Sequence, residues 1–171
     1  MKYFKTIMLI FIAFTYIGSQ ALAGENAAEQ FTRIKALAGE WQGKNTEGKN
    51  VKVSYEVFSN GSVVVEKLMP ENEPNMLTMY HLDGDKLMMT HYCAAQNQPR
   101  MLAEANSKNP SQIRFSFLDA TNLAKETDGH MHKLMLTFTD GNTLKQQWTW
   151  MADNEEKVVG FELTRVEYSK K

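Results

Sequence analysis

The chain predicts an all-β fold: a ten-stranded antiparallel up-and-down barrel with a short N-terminal helix. Three observations predict it. Ten segments of strand composition follow one another almost without interruption. Hairpin turn chemistry recurs at Asn60-Gly61, Asp83-Gly84-Asp85 and Asp140-Gly141-Asn142. The links are short, so neighbouring strands run antiparallel, and a meander of that length removes its edges by closing.

The first segment is not part of the barrel. Lys2 and Lys5 precede the apolar run Ile7 to Phe14, and Ala21-Leu22-Ala23 supplies a small-x-small ending. That order describes a secretory signal peptide over residues 1–23, with a single barrel domain over 24–171 and an exported, periplasmic or secreted protein. The run is too short to favour a membrane-spanning helix, and nothing in the mature chain is long enough to span. From about Ala27 to Leu37, Phe31, Ile34 and Leu37 fall at helical spacing, and Gly39 stops the helix.

The strands follow as Glu40–Lys44, Val51–Ser59, Ser62–Met69, Met76–Leu82, Lys86–Cys93, Arg100–Ser107, Ile113–Leu118, His130–Thr139, Thr143–Ala152 and Lys157–Val166. Hydrophobic matching sets the late registers. A three-residue loop at Asp140–Asn142, with Asn142 left-handed, pairs Phe138 with Leu144, Leu134 with Trp148 and His132 with Trp150. A four-residue loop at Asp153–Glu156 then pairs Trp150 with Val159, Trp148 with Phe161 and Leu144 with Arg165. Glu66 faces inward opposite Tyr55 only if the Asn60-Gly61 turn has two residues; three would reverse it.

Composition narrows the function classes. The net charge is −1 and moves to −3 when Lys2 and Lys5 leave with the signal, which argues against a nucleic-acid partner. Cys93 is the single cysteine, so no internal disulfide forms and stability rests on packing. No Gly-x-Ser-x-Gly elbow, His-Glu-x-x-His or glycine-rich phosphate loop is present, so hydrolase and nucleotide readings rest on nothing specific.

The site-bearing stretch is His130 to Thr139. Alternation puts His130, His132, Leu134, Leu136 and Phe138 on one face, and imidazoles on an apolar face suit a cavity or a ligand better than a dry core. With strands alternating up and down, His91, Cys93, His130, His132 and Trp150 gather at one mouth, bordered by Ala94–Pro99 and Asp119–Gly129. Arg165 and His81 fall at the other end.

Each residue has a specific and an ordinary reading. His130 and His132, at i and i+2, could ligate one metal with His91, or bond to loop groups and cavity water. Cys93 could be a thiolate activated by His91, or a small buried residue. Arg100 could clamp an anion, or be an exposed loop-end arginine. Tyr55, Phe115, Phe117, Trp148, Trp150 and Phe161 line the interior, as packing or as ligand contacts. Of the eleven methionines, the nine left after Met1 and Met8 go with the signal are scattered over both faces and read mainly as packing.

Leu37-Ala38-Gly39-Glu40-Trp41-Gln42-Gly43 is similar to the opening of lipocalin-like and nitrobindin-like small barrels. Thr90-His91-Tyr92-Cys93, Asn97-Gln98-Pro99-Arg100-Met101, Asp119-Ala120-Thr121-Asn122, Gly129-His130-Met131-His132 and Gln147-Trp148-Thr149-Trp150 resemble an exported bacterial family of unknown function. The resemblance covers nearly the whole mature chain and implies a ten-strand barrel with a short helix near one end. The nitrobindin likeness implies haem held by a histidine near the C-terminus, yet no histidine follows His132.

The leading expectation is therefore an exported, non-enzymatic barrel that binds a small apolar or amphipathic molecule. Its candidate contacts are His91, Cys93, Arg100, His130, His132, Trp148 and Trp150. The alternatives are a periplasmic metal-binding protein or metal-assisted enzyme using His130, His132 and His91, and a structural or envelope-interaction barrel with a packed interior. The sequence names no cofactor.

Overall fold

The computed structural model describes residues 26–105, 109–125 and 127–167, so the expected signal segment lies outside the described residues. Helix α1 (Ala27–Lys35) is followed by ten strands: β1 (Gly39–Asn45), β2 (Asn50–Phe58), β3 (Val63–Pro70), β4 (Met76–Asp83), β5 (Lys86–Tyr92), β6 (Gln98–Ala103), β7 (Gln112–Thr121), β8 (His130–Phe138), β9 (Thr143–Ala152) and β10 (Glu155–Arg165). Each pairs antiparallel with its sequence neighbours, and β1 pairs with β10, closing the barrel.

Asn26 starts α1 with a reciprocal cap: its side chain accepts from the Glu29 amide at 3.0 Å, and Glu29 accepts from the Asn26 amide at 3.0 Å. Phe31 and Ile34 on the helix, with Leu37 beyond it, are buried against the end of the barrel where β1 starts and β10 finishes. The helix stops two residues before the expected Leu37, because the chain must turn at Gly39, whose φ of +125° excludes a side chain at little cost only for glycine. Arg165 of β10 then satisfies the helix C-terminus. Its Nη2 donates to Ala36 O at 2.9 Å and its Nη1 to Ala38 O at 2.8 Å, while its guanidinium lies over Trp41. Trp41 Nε1 donates to Leu37 O at 2.8 Å.

Gly43 marks the seam. A Cβ there would stand 1.8 Å from Glu162 O of β10, so only glycine lets β1 approach its partner. The Gly-x-Trp-x-Gly stretch is thus one device: Gly39 turns, Trp41 docks the helix and Gly43 admits the seam.

Two registers and one turn conformation differ from expectation. The β9–β10 turn has two residues, Asp153 and Asn154, both left-handed at φ 49° and 64°. Trp148 consequently pairs with Val159 and Leu144 with Leu163, two residues from the expected partners but on the same face. The β8–β9 loop does have three residues, and Phe138 meets Leu144 and Leu134 meets Trp148. Asn142 is not left-handed, however; the Asp140 carboxylate holds the loop by accepting from the Asn142 amide at 2.7 Å. Finally, β8 bulges between Met131 and Lys133, so Met131, not His132, stands opposite Trp150. The sixth and seventh strands also shift, to Gln98–Ala103 and Gln112–Thr121, because β6 begins at the Asn97 loop.

Candidate functional site

The barrel interior carries a polar belt that crosses four consecutive strands. Register places Tyr55 (β2) beside Glu66 (β3), Glu66 beside Thr78 (β4), and Thr78 beside His91 (β5), all buried. The turn between β2 and β3 spans Ser59 to Ser62, with Phe58 opposite Val63, and its even length keeps Glu66 inward opposite Tyr55.

From the far wall, Gln146 of β9 reaches across. Its Nε2 lies 2.6 Å from Glu66 Oε1 and 2.6 Å from the Tyr55 hydroxyl. Tyr80 donates to Glu66 Oε2 at 2.6 Å, and Trp148 Nε1 donates to Gln146 Oε1 at 3.1 Å. His91 closes the circuit: its Nδ1 is 3.0 Å from Thr78 Oγ1, and its ring lies 4.6 Å from that of Trp148.

Burial dominates the electrostatics. Desolvation raises the Glu66 carboxyl above its ordinary value, opposed by hydrogen bonds from Tyr80, Gln146, Tyr55 and Thr78. The Tyr55 and Tyr80 hydroxyls are pushed well up by burial, with the Glu66 charge adding to it. Burial lowers His91 to about 4, which keeps it neutral at physiological pH.

Above this belt, at the end opposite α1, a second cluster forms. His130 Nδ1 is 2.8 Å from Asp128 O, and His130 Nε2 is 3.1 Å from His132 Nδ1. Phe117 stacks on His132 with centroids 5.0 Å apart and touches His130 at 4.6 Å. Trp150 lies across Gly129, where a Cβ would come within 2.1 Å of its ring. Asn97 Nδ2 donates to Gly129 O at 2.9 Å, and Asn122 Nδ2 donates to Gln96 O, so the β5–β6 and β7–β8 loops are stitched together.

His130, His132 and Trp150 therefore share one end with Cys93, as expected, while His91 and Trp148 lie in the belt. Arg100 does not join them. Its Nε donates to Asp119 Oδ1 at 2.6 Å and its Nη2 to Asp119 Oδ2, a half-exposed fork already engaged with a carboxylate. Cys93 packs against the core, and burial raises its thiol, the reverse of an activated thiolate. Both His130 nitrogens already have partners, and among the described residues no group of three histidine, cysteine, aspartate or glutamate side chains is arranged to hold a metal. Clefts of about 800 Å³ and 500 Å³ run along the β1–β10 seam, and one of about 220 Å³ crosses β7–β9; none borders a histidine.

Sequence reasoning missed Tyr80, Thr78 and Gln146. The signal was present: Thr78 and Gln146 are polar residues at inward parity on strands whose other inward residues are apolar.

Two buried polar atoms have no partner: His91 Nε2 and Asn97 Oδ1. An unpaired buried acceptor costs about 1–3 kcal/mol.

The fold defines a closed ten-strand antiparallel barrel plugged by one helix. Among known proteins, no family model and no curated sequence matches the chain. Among the solved structures that share its fold are two of low sequence identity. Rv2717c from M. tuberculosis superposes with a TM-score of 0.54 at 12% identity, covering 80% of this chain and 97% of its own. A protein of unknown function from the DUF3598 family of Nostoc punctiforme superposes with a TM-score of 0.53 at 10% identity, covering 78% of this chain; the chain spans 49% of that protein's length.

Proposed function

We propose that the protein is an exported, non-enzymatic barrel that binds a small, largely apolar molecule at the end opposite α1, with His91, His130 and His132 orienting its polar group. The observation that carries this reading is His91 Nε2, buried and without a partner, beneath a rim of Phe117, Trp150 and paired imidazoles. A rim of aromatic faces with a few fixed polar atoms suits an amphipathic guest.

A second reading is a barrel whose interior serves only its own stability. Gln146 bridging β9 to Glu66 on β3 favours it, because those side chains fill the middle of the barrel. Delipidated protein titrated with fatty alcohols, fatty acids, quinones and haem, followed by tryptophan fluorescence, separates the two. Saturable uptake is expected; silence towards every probe leaves the packed reading. Export is checked by the mass of the purified protein, which should start near Gly24.

A further inference from the structure

The hydrogen-bond directions at this end are fixed by partners that can act in one way only. A backbone carbonyl accepts and never donates, so His130 Nδ1, against Asp128 O, carries the proton. In its imidazole form His130 then offers Nε2 as an acceptor, and the neighbouring His132 Nδ1 is the donor. The His132 proton is thereby placed on Nδ1, leaving its Nε2 as a bare lone pair.

The same reasoning applies in the belt. A proton on His91 Nε2 would be a buried donor with no acceptor, so Nδ1 holds it, 3.0 Å from the hydroxyl of Thr78. The hydroxyl oxygen accepts from His91 Nδ1–H, and His91 Nε2 is again a bare lone pair. Asn97 repeats the pattern. Its Nδ2 donates to Gly129 O, so the amide orientation is settled and the buried Oδ1 is an acceptor without a donor.

Three groups on one loop and two strands thus present acceptors only, and Arg100, which lies apart from them, is held by Asp119. From this we infer that the ligand's polar end is a hydrogen-bond donor, a hydroxyl or N–H on an apolar body, and not a carboxylate or other anion. A donor would complete the buried acceptors, whereas an anion would set lone pairs against lone pairs. The inference rests on the binding reading above and narrows its ligand class.

The test has two independent arms. In the first, 1-decanol and decanoate, which share a chain, are titrated into delipidated wild-type protein and into His91→Leu. Decanol should bind at least tenfold more tightly than decanoate, and His91→Leu should erase that preference. Decanoate binding as well as or better than decanol overturns the inference while leaving the carrier reading intact; no binding of either, or of the wider panel, overturns both. In the second arm, long-range ¹H–¹⁵N spectra of histidine-labelled protein report the tautomers without ligand. Protons on Nδ1 of His91 and His132 are expected. An Nε2–H form at His91 overturns the inference whatever the titrations show.

Discussion

His91 and Glu66 sit in one belt but tilt stability in opposite directions with pH. The His91 pKa is lowered by burial to about 4 from an ordinary 6.5, so the unfolded chain takes up its proton first as pH falls. Its contribution is complete above about pH 6.5 and is lost as pH drops towards 4. Glu66, raised by burial, contributes below its unfolded pKa and loses that contribution as pH rises through its folded value. Between pH 7 and 5 the His91 slope acts, and wherever the Glu66 carboxyl is also titrating its slope is opposed. His91→Gln, which keeps a polar partner for Thr78 but cannot titrate, should remove about 2 kcal/mol of acid sensitivity across that interval. Urea denaturation at both pH values checks it: the variant should lose less stability than wild type on going from pH 7 to 5, and equal losses would show that His91 does not titrate as its burial dictates.

At the scale of elements, the hairpins show what alternation can and cannot convey. Parity distinguishes inward from outward residues, and even-length turns of two or four residues are equivalent to it. That is why Phe161 was legible as an inward residue although its partner was misjudged, and why the Glu66–Tyr55 pairing survives a four-residue turn in place of two. The β8 bulge escaped because an extra residue leaves no mark on composition, and nothing in His130-Met131-His132 signals that two residues will face one. The site was legible as a set of residues sharing an end, since up-and-down alternation is enough for that. The bridging from β9 to β3 was not, because contacts across a barrel depend on its cross-section, which no hairpin specifies. The β9–β10 turn makes a sharp prediction. Asp153 and Asn154 both occupy the left-handed region, tolerated by their short polar side chains. Replacing both with alanine should cost about 2 kcal/mol, and Asn-Gly in their place should match or exceed wild type in thermal denaturation.

For the molecule as a whole, closure depends on a small area of β1 and β10. Gly43→Ala forces a Cβ into the Glu162 carbonyl, which β-strand backbone cannot yield without parting the ladder. A loss of about 3 kcal/mol or more is expected, together with fast amide exchange confined at first to β1 and β10. Sedimentation should also report self-association, because freed strand edges pair with other copies. Uniform loosening of all ten strands would instead mean that the seam is no weaker than the rest of the wall. Arg165 ties the same seam to the helix plug, so its loss reaches α1 through Ala36 and Ala38.

That seam also dictates when the molecule can be finished. Of the ten strands β1 is made first and its partner β10 last. A chain can collect hairpins in order, but it cannot complete its cylinder or anchor its plug until β10 is present. The late-arriving strand thus acts as a latch: a chain stalled before residue 155 would carry a raw edge and an untethered helix, the state that chaperones recognise.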